Sequence, residues 1–202
     1  SRQGRLDWKF PRVRRLPVKP HPRIPAPRDI YGPERKAARG IDLADPDALE
    51  LLAGEMEQAL ARRWTAGPIV GGTLRTVSAK PVTDPADRQR VVGEVSEADA
   101  DAVEQSLVRA ARAQEEWDRR PAEERAAVLR RAADLYEENM PALMTLAVRE
   151  AGKTLPDAVA EVREAVDFCR YYAAQAVQHF ARPAELPGPT GERNRLYLRG
   201  RG

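Results

Sequence analysis

Aromatic residues make up only 5% of this 202-residue chain, and it holds one cysteine and two histidines. A lone cysteine rules out an internal disulfide, and His21 and His179 are too far apart in sequence to form a zinc-ligand pattern. No metal site is expected. No stretch approaches the roughly 18 apolar residues of a membrane span. The opening SRQGRLDWKF lacks the apolar centre of a secretory signal. With a mean hydropathy of -0.60, the expectation is a soluble, cytoplasmic protein.

The formal charge of +3 conceals an asymmetry. Residues 1–40 carry 12 Lys+Arg against 3 Asp+Glu, a net +9, and the remainder is net -6. The same 40 residues hold 7 of the 17 prolines. Proline lacks an amide donor and pushes the residue before it toward extended conformations, so residues 1–44 are expected to form an extended Pro/Arg-rich linker or strap. Clustered arginine also suits an arm for nucleic acid or anionic lipid. The acidic balance of the remaining chain makes nucleic acid the weaker reading.

Regular structure is expected to begin at Asp45, a capping residue followed by Pro46 at the first helical position. Leu49, Leu52, Met56 and Leu60 recur at helical spacing, and Trp64 is expected to close that stripe, giving a connector helix over 45–66. Gly67-Pro68 then breaks the chain. PIVGG, LRTVSAKPV and RQRVVGEVS read as short strands, separated by Gly-Gly and by the proline turn TDPAD. Ser96 with Asp99 resembles a capping box for a helix whose buried face would be Val103, Leu107, Ala110, Ala111 and Trp117. The next helix starts near Pro121, with Val128, Leu129, Ala132, Leu135 and Tyr136 facing inward. Pro141 restarts the helix and Gly152 ends it as a left-handed cap. From Pro156 the longest helix runs to about Phe180, with Val159, Val162, Val166, Cys169, Ala173, Ala176 and Phe180 alternating by three and four along one apolar stripe. A final strand, LYLRG, is expected to find no partner in the chain.

Three features of residues 148–173 invite chemistry. Gly152-Lys153-Thr154 resembles the end of a phosphate loop, but such a loop needs more glycines, a strand ahead and a helix behind; here a helix precedes it, and a helix cap explains the triplet. Cys169 falls on the apolar stripe in the middle of a helix, without the cationic partner or helix N-terminus that activates a thiolate, and reads as a structural thiol. Glu161 and Glu164 lie on the opposite side, alongside a second stripe of Phe168, Tyr171 and Gln175. They read as a solvated face, or Glu161 points into a pocket completed by another part of a larger protein and positions a polar substrate there.

In order along the chain, VVGEV after the proline turn, Glu116-Trp117, Pro121-Ala122-Glu123-Glu124-Arg125, Glu150-Ala151-Gly152-Lys153 and Arg170-Tyr171-Tyr172-Ala173 resemble the N-terminal part of NAD-dependent aldehyde dehydrogenases over about residues 67–202. PHPRIPAPRDIYGPERKAARGIDLADPDAL and LPGPTGERNRLYLRGRG resemble stretches of the bifunctional proline-utilisation enzymes. The resemblance implies a mainly helical piece with short strands, cut from an α/β aldehyde dehydrogenase fold with an incomplete Rossmann-like cofactor domain. It also implies oxidation of L-glutamate γ-semialdehyde to glutamate with NAD, and a companion FAD-dependent proline dehydrogenase half. The complete enzyme is expected to be a homo-oligomer.

In that family a cysteine thiolate attacks the aldehyde and a glutamate activates water. The resemblance places both in later segments, beyond the part matched here, and Cys169 does not match the nucleophile's motif. It therefore assigns no catalytic, cofactor-binding or metal-ligating residue to this chain. Glu161 is the one substrate-lining candidate, and the chain by itself is expected to be inactive. Two other readings stay open: a helical interaction module whose basic arm engages acidic partners, and a nucleic-acid binder using that arm.

Overall fold

The computed structural model describes residue 19 and residues 21–200. The expectations for residues 1–18 lie outside it. The described chain contains five α-helices and seven short strands. One turn of 3-10 helix, Pro27–Asp29, interrupts the strap.

Helix α1, Pro46–Leu60, starts as the sequence dictates: Asp45 accepts from the Asp47 amide and Pro46 occupies a position that needs no donor. Of its apolar stripe, Leu52 is buried and Met56 packs on the core, while Leu49 and Leu60 are exposed. Trp64 does not close that stripe. It opens strand β1, Trp64–Ala66, and pairs with Gly93 in the parallel ladder to β5, Asp87–Ser96. Strand β4, Ala79–Asp84, runs antiparallel along the other side of β5 with a bulge near Thr83, giving the order β1-β5-β4. Between them β2, Ile69–Val70, and β3, Thr73–Leu74, form a hairpin whose Gly71 and Gly72 both take positive φ, as a tight two-residue turn requires.

Helix α2, Ala100–Arg119, is capped by Asp99 accepting from the Ala102 amide at 2.7 Å. Ser96 is not part of a capping box, because it still belongs to β5 and its hydroxyl is buried without a partner. The expected buried face of α2 is also corrected: Val103, Leu107 and Trp117 are exposed, and only Ala102 is buried. The periodicity is there, but no helix among the described residues packs against it.

Helices α3, Ala122–Glu138, α4, Met140–Ala151, and α5, Leu155–Phe180, make the body of the molecule. Alanine rather than the large apolar residues brings α3 onto α5. Ala126 and Ala133 are fully buried, whereas Val128, Leu135 and Tyr136 are exposed. Small side chains let the two helices approach closely, leaving the larger ones on the flanks. The main core joins Leu52 of α1, Met140 and Met144 of α4 and Ala158, Val159 and Val162 of α5. A second cluster joins Ala38 of the strap to Ala133 and Val166, with Cys169 packed against it, whereas Phe180 at the end of the same stripe is exposed because no element among the described residues fully covers the last turn of α5 there.

The end of the chain differs from expectation. Strand β7 is Asn194–Leu196 rather than LYLRG, and it pairs antiparallel with β6, Ala184–Leu186. Beyond it Gly200 settles on α2, donating to Asp118 at 2.8 Å and accepting from Gln114 at 3.1 Å.

Candidate functional site

The corner between α4 and α5 carries both the Gly152-Lys153-Thr154 triplet and Glu161. Gly152 has φ +66°, the left-handed conformation of a helix C-cap. The amides of Gly152 and Lys153 donate back to Val148 and Ala147, the Asp157 amide goes to the Thr154 hydroxyl, and that of Ala158 to the Thr154 carbonyl. With these donors committed, the triplet has no ring of free amides to cradle a phosphate, so it does not fit the pyrophosphate of NAD. It is a C-cap followed directly by an N-cap.

Lys153 Nζ lies 2.7 Å from Glu161 Oε1, and both side chains are substantially exposed. The hydrogen bond and the charge of Glu161 hold the Lys153 ammonium above the usual lysine range. Glu161 thus sits at the surface of the corner, in an ion pair within its own corner.

The corner rests on the β4–β5 turn. A side chain at Gly152 would meet Pro85 of that turn at 3.2 Å. Asp84, 2% exposed, accepts from the Ala86 amide at 2.8 Å through one oxygen. Through the other it accepts from Arg149 at 3.0 Å and Arg90 at 3.2 Å. The Ala86 amide first, and Arg149 next, hold its carboxyl below the usual aspartate range. Two stretches far apart in sequence, TDPAD and EAGK, are therefore halves of one contact.

A second polar centre lies further along α5 and was not foreseen. Arg170, only 8% exposed, makes a two-pronged pair with Glu137 of α3, both contacts at 3.0 Å, and reaches Asp134 at 3.1 Å and the Ala37 carbonyl at 3.3 Å. Burial works against ionised Glu137, but the hydrogen bonds from Arg170 and from the Arg39 amide outweigh it and leave the carboxyl below its usual range. A signal existed: Arg170 follows Val166 by four and precedes Ala173 by three, so an arginine stands on the buried stripe.

Cys169 is half-buried against Ala38, Ala133 and Val166, on the apolar stripe where the sequence places it. A cleft of about 360 Å³ beside Trp64 is lined by Arg62, Arg90 and Arg149, and an apolar one of about 400 Å³ adjoins it along α3 and α4. Neither includes Cys169 or Glu161. No group of three or more potential metal ligands occurs among the described residues. Nor is any helix there long and apolar enough to cross a membrane.

Residues 75–199 match the aldehyde dehydrogenase family. The bifunctional protein PutA of Klebsiella aerogenes is 43% identical over 171 residues, 84% of this chain and 13% of that protein. In structure, a variant of proline utilization A from Bradyrhizobium japonicum superposes with a TM-score of 0.68 at 36% identity, over 90% of this chain and 15% of that one. A 1-pyrroline-5-carboxylate dehydrogenase from Thermus, solved with bound NAD, gives 0.67 at 27% identity over 75% and 30% of the two chains. This chain thus spans a small part, about one seventh, of the PutA proteins that it matches. The helices and short strands are those of an aldehyde dehydrogenase domain, and the chain belongs to the aldehyde dehydrogenase family.

Proposed function

We propose that these residues are a segment of an NAD-dependent L-glutamate γ-semialdehyde dehydrogenase, the half of a bifunctional enzyme that oxidises the semialdehyde arising from proline through pyrroline-5-carboxylate. The supporting observation is the reach of the PutA match. Its 171 residues are more than residues 75–199 can hold, so it extends beyond the dehydrogenase segment into the region of α1 or the strap. The Thermus 1-pyrroline-5-carboxylate dehydrogenase also matches past residues 75–199, over 75% of this chain, and the PutA match reaches further, over 84% at higher identity, which favours the bifunctional form.

In the complete enzyme NAD would accept the hydride, held by residues other than these, and a proline dehydrogenase half with FAD would supply the substrate. The role of the present residues is to frame. The Asp84–Arg149 contact fixes the β4–β5 hairpin on α4, and the capped corner sets the direction of α5. Glu161 is the residue proposed to line the substrate path, its Lys153 partner holding it in place. The chain's one cysteine lies inside α5 and is not the nucleophile, so the chain alone is proposed to be inactive.

Among the described residues of the strap, several cations are engaged within the molecule. Arg28 pairs with Glu137, Lys36 with Asp29, and Arg35 stacks 3.6 Å above the Tyr31 ring. That favours the enzyme segment over a nucleic-acid arm.

The test is to read the coding region past Gly202, express the whole protein, and follow NADH formation with L-glutamate γ-semialdehyde and with a simple aliphatic aldehyde. A strong preference for the semialdehyde is expected. In Glu161→Gln, KM for the semialdehyde should rise with kcat little changed. Equal turnover of both aldehydes would remove the substrate assignment, and an unchanged KM would remove Glu161 from the substrate path.

A further inference from the structure

We infer that residues 28–40 are a latch rather than a tether, and that Glu137 is the positioning residue that closes it on the α3–α5 ridge. Glu137 is approached from three directions. The Arg28 guanidinium reaches one of its oxygens at 3.2 Å, the Arg39 amide reaches the other at 2.7 Å, and Arg170 of α5 binds both at 3.0 Å. The strap folds back on itself to present these donors, since the Ala37 amide donates to the Arg28 carbonyl at 2.9 Å and closes a loop. Arg28 and Arg39 thereby meet one carboxylate from the two sides of that loop.

Two further contacts seat it. The Ala38 amide donates to Asp167 of α5 at 2.8 Å, and Arg170 donates to the Ala37 carbonyl. Ala37 and Ala38 are each 5% exposed, and Ala38 fills the cluster formed by Ala133 and Val166. A flexible linker would leave its amides to water and its methyl groups exposed. Here consecutive amides, Ala38 and Arg39, are spent on two carboxylates carried by two different helices, which fixes both the position and the direction of the chain.

The consequence is mechanical. Whatever lies ahead of Arg28 is fastened to the ridge at Glu137 rather than swinging from α1, and this holds whichever reaction the complete protein performs. It goes beyond the proposed function and stands or falls separately from it.

The test uses the 202-residue chain with spin labels at Ile24→Cys, ahead of the latch, and Ala127→Cys, on the exposed side of α3, in a Cys169→Ser background. A single narrow distance distribution is expected, together with slow trypsin cleavage after Arg39. Glu137→Gln should broaden the distribution and speed that cleavage about tenfold, the scale of one charge-assisted hydrogen bond. Because Glu137→Gln also strips a partner from buried Arg170, an Arg28→Gln/Asp167→Asn variant loosens the strap while leaving the Glu137–Arg170 pair in place. It should broaden the distribution with unchanged helical circular dichroism. A broad distribution in the parent, or one that stays narrow in the Arg28→Gln/Asp167→Asn variant, would overturn the latch.

Discussion

The same substitution, glycine to alanine, should have opposite signs at Gly93 and Gly54. At Gly93, in the middle of β5, an added Cβ would stand 2.3 Å from the Trp64 carbonyl oxygen and 2.9 Å from its carbon, and both are backbone atoms of β1. Ordinary contact begins near 3.4 Å, so the strands would have to part by about 1 Å, and no rotamer can relieve it. The β1–β5 ladder registers three residue pairs. Overpacking at about 1–3 kcal/mol, with roughly 1 kcal/mol for a weakened ladder bond, gives about 2–4 kcal/mol of destabilisation. For a chain of this size that lowers the melting midpoint by roughly 5–15 °C.

Gly54 lies inside α1 with nothing within 4 Å of the position its Cβ would take. There alanine gains helix propensity of about 0.5–1 kcal/mol and should raise the midpoint by about 1–4 °C. Thermal unfolding followed by circular dichroism measures both variants, and amide exchange at Val95 reports whether β1 alone has detached. A Gly93→Ala chain that melts with the parent, and keeps Val95 protected, would refute the claim that backbone crowding dictates glycine there.

Met144, fully buried in the main core, should lose about 2–5 kcal/mol on replacement by alanine, read as a shift of the urea midpoint without a change of slope. Asp84 and Glu137 both have carboxyls held below their ordinary values of 3.8 and 4.5. A depressed folded pKa contributes stability that is present above the unfolded value and lost as pH falls through the folded one, so the melting midpoint should drop below about pH 4.5, and less steeply in Asp84→Asn. Lys153 runs the other way: its contribution is complete below its ordinary 10.5 and fades as pH rises beyond it. Finally, the purified chain should form no NADH with the semialdehyde, and Cys169→Ser should change nothing in that assay; activity abolished by that variant would make Cys169 the nucleophile.

Local signals were the legible part. Asp45 followed by Pro46, Gly152 in the left-handed region, and the turn glycines at 71 and 72 act through their own backbone within a few residues, so their effects can be read without knowing what lies opposite. The fold class was legible for a different reason, through ordered landmarks at family-like spacing. What failed were inferences about partners across space. Periodicity shows that α2 has an apolar face but not what covers it, and among the described residues Val103 and Leu107 stay exposed. Large apolar residues on α3 drew attention away from Ala126 and Ala133, which do the packing because their size permits close approach. Arg170 and Glu137 are invisible as a pair, since 33 residues separate them and each looks like ordinary helix charge.

The two polar centres on α5 are separate devices, and that separation can be measured. Helix α5 is 26 residues long, and Glu161 sits in its second turn. Arg170 follows nine residues later, about 13 Å further along the axis at 1.5 Å per residue. Between them Val162 and Val166 are buried, joined to different clusters, and no hydrogen bond links the Lys153–Glu161 pair to the Glu137–Arg170 pair. Glu161 is exposed, so its interaction with a charge that far away is largely screened at physiological salt. Arg28 bonds Glu137 and Glu161 bonds Lys153, and sites without shared partners add to within about 0.5 kcal/mol, so the effects of Glu161→Gln and Arg28→Gln on unfolding free energy should sum in the double variant. Arg28→Gln serves here because it loosens the strap without leaving Arg170 unpaired. A coupling well above that figure would mean that α5 transmits strain from the strap to the corner. The substrate-lining candidate would then answer to whatever is fastened ahead of Arg28, and the strap and the corner would have to be treated as one mechanism.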